Sequence, residues 1–248
     1  MRRFLVIPVL FLLFNCGYAQ KKIKIQPDYS SIITTKKIIL HYQHNEPDSL
    51  MIPIVSDKYP ELKRALSDTN LFLGDKLDTV IHHYQNDGTG ITSFNYQVIF
   101  ANKDVISLKL YYETMGAHPD QSEEWLTLNM HTGAAYPISN EVNPEGMEWI
   151  YMSYKELLKK RIADDENGLD KEKVDESYAD VYKDLKESVD ELTSEELLKR
   201  YVFTDKGVSF TTEKVLPAAV RNFEPERDWL IPYIKLKAYI QPGSMVLK

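Results

Sequence analysis

The chain has almost no cysteine: Cys16 is the single cysteine among 248 residues. A folded domain without this residue has no disulfide, no thiol nucleophile and no cysteine metal ligand. Its stability must therefore come from a hydrophobic core. The chain also lacks a basic excess, since its formal net charge is −7. Nucleic acid and anionic membrane surfaces attract basic proteins, so neither is the expected partner.

Long hydrophobic runs are also scarce, and the one that occurs lies at the N-terminus. Residues 4–14 read FLVIPVLFLLF and follow Arg2 and Arg3. This run is well short of the roughly twenty residues that a bilayer-spanning helix needs. A positive start, a short apolar run and small residues at Gly17 and Ala19 are typical of a secretory signal peptide. We therefore expect residues 1–19 to be removed and the protein to be secreted or periplasmic.

Cys16 allows a second interpretation of this leader, in which it becomes the lipidated N-terminus of an anchored lipoprotein. The bulky Phe14 and Asn15 precede it where a lipoprotein signal has small residues, so cleavage after Ala19 is preferred. Cleavage removes Arg2 and Arg3 and changes the formal net charge from −7 to −9. We expect no transmembrane segment in the mature chain.

Strand patterns dominate the middle of the chain. A tether over residues 20–30 precedes an N-terminal α+β subdomain over 31–80, which has a strand at 32–42 and a short helix at 57–68. A larger domain over 81–248 then begins. Its first strands are predicted at residues 91–100, 105–113 and 124–130, joined by polar turns as an antiparallel meander.

Helical periodicity follows the meander. Helices are predicted over residues 147–163 and 174–192, and Thr193 to Glu196 has the spacing of a capping box. A C-terminal hairpin over 201–212 comes next, in which Gly207 is expected to take a positive φ. A strand at Trp229 and a helix after Pro232 end the chain. The fold class is therefore α+β, with two or three helices covering a central antiparallel sheet.

Four segments carry a resemblance to a known family. Residues 105–119 read VISLKLYYETMGAHP, 125–133 read WLTLNMHTG, 203–210 read FTDKGVSF and 231–236 begin with Ile-Pro-Tyr. In this order they resemble the RsiV-like domain of unknown function, the ectodomain of a lysozyme-sensing anti-sigma factor. The likeness covers about residues 80 to 240.

The resemblance implies a sensing or binding role in the bacterial cell envelope, with a cationic protein such as lysozyme as the partner. Related domains also lie beside peptidoglycan deacetylase domains, so an accessory or hydrolytic role on peptidoglycan is the alternative. The chain shows no cytoplasmic anti-sigma segment, so we do not expect it to signal across a membrane as that relative does.

The turn in the first of these segments is the first candidate site. It consists of Gly116, Ala117, His118 and Pro119. Small residues let the backbone approach whatever packs on it, and His118 is able to bind a ligand or act as a base. The alternative is a structural turn in which His118 bonds to neighbouring backbone. We assign these four residues to a binding loop that continues to Gln121, and we expect a second contact loop at residues 86–90.

Motifs for catalysis and metal binding are missing. The chain has no Gly-x-Ser-x-Gly elbow, no Ser-x-x-Lys and no His-Glu-x-x-His. His41 with His44 and His82 with His83 do not meet a zinc spacing. The adjacent Glu123 and Glu124 project to different sides of a strand and form no glycosidase pair. We therefore predict no catalytic residue, no metal site and no cofactor.

Acidic residues concentrate between positions 164 and 192, which hold twelve carboxylates and four lysines. The simplest explanation is a solvated helix surface. The functional explanation is electrostatic steering toward a cationic protein or envelope component, with Asp180, Asp184 and Glu187 as binding residues. Taken together, the sequence predicts an exported, non-catalytic binding module whose partner is not identified.

Overall fold

The computed structural model describes residues 28–43, 46–168, 177–213, 216 and 224–247. The predicted signal peptide, Cys16, His44 and the first residues of the second long helix lie outside the described residues. The strands are β1 (Ile33–Leu40), β2 (Asp48–Val55), β3 (Gly90–Ala101), β4 (Val105–Met115), β5 (Pro119–Asn129), β6 (Arg200–Phe203), β7 (Gly207–Thr211) and β8 (Trp229–Pro232). The α+β fold class is confirmed.

Helices separate the strands into blocks, as predicted. They are α1 (Pro60–Ala65), α2 (Asp68–Leu71), α3 (Leu77–Asp87), α4 (Pro144–Gly168), α5 (Ser177–Glu191), α6 (Ser194–Leu198) and α7 (Tyr233–Leu236), with 3-10 turns at Ile138–Asn140 and Lys237–Tyr239. The capping box of α6 is confirmed, because Thr193 Oγ1 accepts from the Glu196 N–H at 3.3 Å and Thr193 N–H donates to Glu196 Oε2 at 2.8 Å.

The strands form two sheets. The larger sheet has the order β1-β2-β3-β4-β5, and the smaller one has the order β6-β7-β8. The predicted meander is β3-β4-β5, and its pairs are antiparallel. The larger sheet is nevertheless mixed, because β2 pairs parallel with β3. The parallel pair arises because β2, which the sequence pattern did not reveal, reaches β3 through α1, α2 and α3.

The helix α3 replaces a predicted loop. Residues 86–90 were expected to form a contact loop, but Asn86 and Asp87 complete α3 and Gly90 begins β3. The helix ends at Gly88, which adopts the left-handed conformation with φ 65°. Val80 and Tyr84 bury one side of α3 against the sheet. The predicted loop is therefore reduced to Gly88 and Thr89, and a binding contact there stays a prediction.

Each sheet covers its own hydrophobic core. On one face of the larger sheet, Phe94, Ile106 and Leu108 pack with Leu62 of α1 and Tyr84 of α3. The second core lies between the smaller sheet and the long helices. Its buried members on those elements are Ile150, Tyr154, Leu158, Ile162, Tyr182, Leu185, Val189, Tyr201, Phe203, Val208, Phe210 and Ile231. Burying such side chains is the main source of stability in a chain without disulfides.

A chain of buried hydroxyl groups joins the two sheets. Ser107 and Thr127 stand opposite each other on β4 and β5, and their side-chain oxygens are 2.9 Å apart. Ser107 Oγ accepts from the Phe203 N–H at 3.1 Å, and Thr127 Oγ1 donates to the Tyr201 carbonyl at 2.9 Å. The strand β6 is thereby fixed across the second face of the larger sheet.

Two glycines of the resembling segments have a steric role. Gly133 has a φ of 67°, and a Cβ there would overlap the Glu61 carbonyl group of α1. The predicted Thr-Gly turn is thus confirmed and packs on a helix. Gly207 was expected to need a positive φ, which was wrong. A Cβ at Gly207 would overlap the Ile231 carbonyl oxygen of β8, so the close approach of the two strands excludes a side chain.

A buried carboxylate holds the C-terminal segment. Glu141 is fully buried and accepts hydrogen bonds from the Tyr136 hydroxyl at 2.6 Å and from the Ser244 hydroxyl. It also accepts backbone N–H groups, from Met245 at 2.8 Å and Leu247 at 2.7 Å. Burial and the hydrogen bond to Glu141 raise the pKa of Tyr136. Hydrogen bonds replace the counter-ion that a buried carboxylate usually needs.

We expect Glu141→Gln to lower the free energy of unfolding by about 2 to 4 kcal/mol, because the amide NH2 must face donors. Chemical denaturation measures this loss. The matched control is Glu148→Gln, since Glu148 is exposed on α4 and should change stability little. Equal stability of the two variants would contradict the structural role of Glu141.

Tyr84 predicts a loss of stability at alkaline pH. Burial, and then its hydrogen bond to Asp48, raise the pKa of Tyr84 to about 12. In the unfolded chain the Tyr84 phenol ionises at its ordinary pKa near 10. The stabilisation that protonated Tyr84 gives the folded state is therefore complete below pH of about 10 and is lost as the pH rises through about 12. Tyr84→Phe should make unfolding less dependent on pH in this window.

Unfolding curves between neutral pH and the alkaline window test this prediction. Tyr29→Phe is the control, because Tyr29 is only partly buried and its hydroxyl forms no hydrogen bond with another described residue. The same alkaline slope in both variants would reject the assignment to Tyr84.

Candidate functional site

An open groove of about 900 Å³ lies between the ends of β4 and β5 on one side and residues 224–228, which precede β8, on the other. One wall is formed by Tyr111 to Thr114 and Asp120 to Trp125. The other wall is formed by Arg200, residues 211–213 and residues 224–228. The volume is in the range of ligand-binding clefts. The groove exists because β6 crosses the larger sheet. This crossing brings β7 and residues 224–228 close to β5.

Buried polar side chains hold the second wall in place. The Tyr154 hydroxyl of α4 donates to the Arg227 carbonyl at 2.5 Å. Arg161, also on α4, donates to the carbonyls of Glu226 at 2.6 Å and Asp228 at 2.9 Å. The backbone of this segment is therefore anchored to a helix of the second core, while Glu226 and Asp228 line the groove.

Arg227 secures the same segment from inside. Its side chain is 6% exposed and donates to Thr212 Oγ1 at 2.7 Å and to the Glu213 carbonyl at 2.6 Å. It also pairs with Glu224 at 3.3 Å. Burial lowers the pKa of Arg227, and the adjacent Glu224 carboxylate opposes this effect. A guanidinium with these partners remains charged and joins β7 to the groove wall.

The groove is strongly acidic. Its lining contains eight carboxylates and two arginines. Arg200 pairs with Glu213 at 2.5 Å, and Lys109, which lies behind the wall, reaches Glu123 at 3.2 Å and Asp228 at 3.8 Å. Three of the carboxylates form no ion pair within the described residues: Glu113, Glu124 and Glu226. These three leave the groove with negative charge that no cation of the described residues balances by an ion pair.

Trp125 lines the groove, and Lys109 lies behind it. They are cross-strand partners, and Lys109 Nζ lies 3.6 Å from the centre of a Trp125 ring. The indole N–H donates to Glu123 Oε1 at 2.5 Å. A cation over an aromatic face that also contacts two carboxylates is well stabilised. This arrangement holds Glu123 and Asp228 on opposite walls at a fixed separation.

Two tyrosines report the acidity of the groove. Burial and the charges of Glu123 and Asp228 raise the pKa of Tyr111. Burial and the nearby Glu124 raise the pKa of Tyr112, whose hydroxyl is buried. Both phenols remain protonated at neutral pH and are potential hydrogen-bond donors to the groove.

The predicted turn lies at the tip of the β4-β5 hairpin, next to the mouth of the groove. Gly116, Ala117, His118 and Pro119 are all exposed, and Gly116 N–H donates to the His118 carbonyl at 3.4 Å. A Cβ at Gly116 would meet no atom within 4 Å, so nothing described packs on this turn. Its neighbours Thr114 and Asp120 line the groove, whereas the turn itself extends beyond it.

The predicted acidic residues lie on α5. Asp180, Asp184 and Glu187 are exposed, and Glu187 pairs with Lys183 at 3.8 Å. None of the three lines the groove. The structure therefore separates two acidic surfaces: the groove and the outer side of α5.

The structure brings no metal-binding cluster together among the described residues. His82 and His83 are adjacent on α3 with ring centres 6.3 Å apart, and His118 is distant from them in the chain, at the hairpin tip. None of the described helices is long and apolar enough to span a bilayer.

Sequence reasoning missed the second wall of the groove. Glu213, Glu226 and Asp228 stand far from β5 in the sequence, and only the crossing of β6 brings them close to it. The available signal was the charged run Glu-Pro-Glu-Arg-Asp at 224–228 next to a predicted strand. Glu123 and Glu124 were noted only as an unsuitable catalytic pair, although both line the groove.

The two-sheet α+β architecture is similar to that of solved structures. A DUF3298 family protein from Pseudomonas aeruginosa PAO1 has a TM-score of 0.52 and 12% identity, with 85% of this chain and 93% of that chain covered. A member of the same family from Bacteroides fragilis NCTC 9343 has a TM-score of 0.47 and 14% identity, with 87% and 96% covered.

The first of these likenesses shows a fold shared with a solved DUF3298 family protein. No family model and no curated protein matches the sequence. At such low identity the fold does not determine the function, which depends on the residues of the site.

We expect Lys109→Met to lower the free energy of unfolding by about 1 to 3 kcal/mol, because Glu123 and Asp228 then face each other without a cation. Added salt should restore part of this loss. Lys103→Met is the matched control. Lys103 is 81% exposed, and its ion pair with Asp104 is long, at 3.9 Å. Denaturation curves that fail to separate the two variants would refute the role of Lys109.

Proposed function

We propose that this chain is an exported, non-catalytic binding module of the bacterial cell envelope that captures a cationic protein in the acidic groove. The proposal includes secretion after cleavage near Ala19, with a lipoprotein anchored at Cys16 as the alternative. The resemblance to RsiV-like domains supports a sensing role and makes lysozyme, a basic secreted protein, the partner to test first.

The observation that carries the proposal is the set of uncompensated carboxylates in the groove. Glu113, Glu124 and Glu226 come from three separate segments, yet they line one cleft without an ion pair among the described residues. Gathering like charges in one cleft costs stability unless a partner supplies the opposite charge. A cationic side chain inserted here would gain attraction from several carboxylates at once.

The two predicted sites have supporting roles in this proposal. Asp180, Asp184 and Glu187 on α5 attract a cationic partner at long range, which raises the association rate. The turn Gly116, Ala117, His118 and Pro119 extends past the groove and contacts the partner beside it. The groove supplies the affinity, because a cationic side chain inserted there is attracted by several carboxylates at short range.

We expect the chain from Gln20 to bind a c-type lysozyme, with affinity that falls at least tenfold between about 50 and 500 mM salt. The triple variant Glu113→Gln, Glu124→Gln, Glu226→Gln should weaken binding about tenfold or more, because it removes the uncompensated charges. Biolayer interferometry gives both the affinity and the association rate.

The control is a second triple variant that changes the net charge by the same amount: Asp180→Asn, Asp184→Asn, Glu187→Gln. We expect it to slow association and to leave dissociation unchanged, since α5 lies outside the groove. Equal losses in both variants would show that overall charge, not the groove, determines binding. Absence of salt-sensitive lysozyme binding would overturn the proposal.

A further inference from the structure

The strand β5 is an edge strand of the larger sheet, and only half of its outer edge is paired. Near its C-terminal end, Tyr136 N–H donates to the Thr127 carbonyl at 2.8 Å and Asn129 N–H donates to the Ala134 carbonyl at 2.9 Å. Gln121, Glu123 and Trp125, which precede them, have no strand partner on this side among the described residues. This open half of the edge lines the groove.

The register fixes which backbone groups point into the groove. β4 and β5 pair without a bulge from Met115 opposite Pro119 to Val105 opposite Asn129. In an antiparallel pair, every second residue directs its N–H and C=O away from the partner strand. The backbone groups of Thr127 and Asn129 point away from β4. The backbone N–H and C=O groups of Gln121, Glu123 and Trp125 therefore also point away from β4. The groove therefore presents a row of backbone donors and acceptors.

The two faces of this edge differ in charge. Cross-strand pairing places Glu123 and Gln121 on the same face as Tyr111 and Glu113, and the acidic wall of residues 224–228 covers this face through Asp228 and Lys109. The opposite face has Glu124 and Ser122, with the apolar Leu73 and Ile91 near them. In a strand added to β5, every second side chain would therefore lie on the face that holds most of the groove carboxylates.

We propose that the groove binds an extended cationic segment of the partner by strand addition to the free half of β5. The segment has lysine or arginine at alternate positions, facing Glu113 and Glu226, with small polar or apolar residues between them. Backbone hydrogen bonds to Gln121, Glu123 and Trp125 supply affinity, and the carboxylates select the charge. This inference rests on the proposed function and specifies how the partner is recognised.

A backbone substitution on β5 tests the pairing. Gln121→Pro removes one outward N–H, which an edge strand tolerates because that group has no partner within the sheet. Gln121→Ala is the control, since it keeps the N–H and removes only the side-chain bond to Glu113, which is 3.1 Å long. The probe is a short capped peptide of alternating lysine and threonine. We expect about tenfold weaker peptide binding for the proline variant only.

N-methylated forms of the probe test the same contact without changing the protein. Methylation at two lysines or at two threonines leaves the charge unchanged and blocks the N–H groups on one edge of the peptide. Since all lysines must face the acidic wall, only one methylated form should lose binding. In an antiparallel addition the lysine-methylated form fails, because those residues lie opposite the outward-pointing residues of β5.

The outcomes separate strand addition from charge capture alone. Loss of binding in one methylated peptide and not in the other supports the inference. Equal binding of both methylated peptides overturns strand addition. If lysozyme still depends on the groove carboxylates in that case, the proposed function stands. If neither lysozyme nor the lysine peptide binds at low salt, both the inference and the proposed function are rejected.

Discussion

The buried hydroxyl chain of Ser107 and Thr127 is the contact on which the architecture depends. Val105 of β4 is buried in the core of the smaller sheet, so hydrophobic contacts also join the two sheets, but such contacts are non-directional. The hydrogen bonds to Phe203 and Tyr201 determine where β6 crosses β4 and β5. Buried hydroxyls are costly without partners, and here a single register satisfies the whole chain. The hydroxyl chain therefore specifies the arrangement of the sheets more than it stabilises them.

The groove follows from that crossing. Once β6 is fixed, β7 places Thr212 and Glu213 opposite β5, and Arg227 bonds to both of them. Tyr154 and Arg161 anchor the adjoining backbone to α4. Among the carboxylates in front of these buried groups, Glu113, Glu124 and Glu226 form no ion pair within the described residues.

The sequence revealed elements with strong local signals. The meander, the capping box at Thr193 and the C-terminal hairpin were all predicted, because periodicity and turn chemistry act over a few residues. β2 was missed since Pro53 interrupts its pattern, and α3 was missed because its apolar residues are few. The groove was not predictable, because Glu113 and Glu226 line the same groove only as a result of the crossing of β6. The reason for a glycine at position 207 was predicted wrongly, because the close approach of β8 excludes a side chain there and a positive φ does not.

The carboxylates along β5 have two effects with the same physical origin. An unpaired edge strand invites pairing with another copy of the chain, and charged residues along the edge oppose this. Glu123 and Glu124 on β5 would lie close to the carboxylates of a second copy, so like-charge repulsion disfavours self-association. A cationic strand reverses the sign of that interaction. Under the proposed function, specificity for a basic partner would therefore arise from repulsion of a second copy as much as from attraction of the partner.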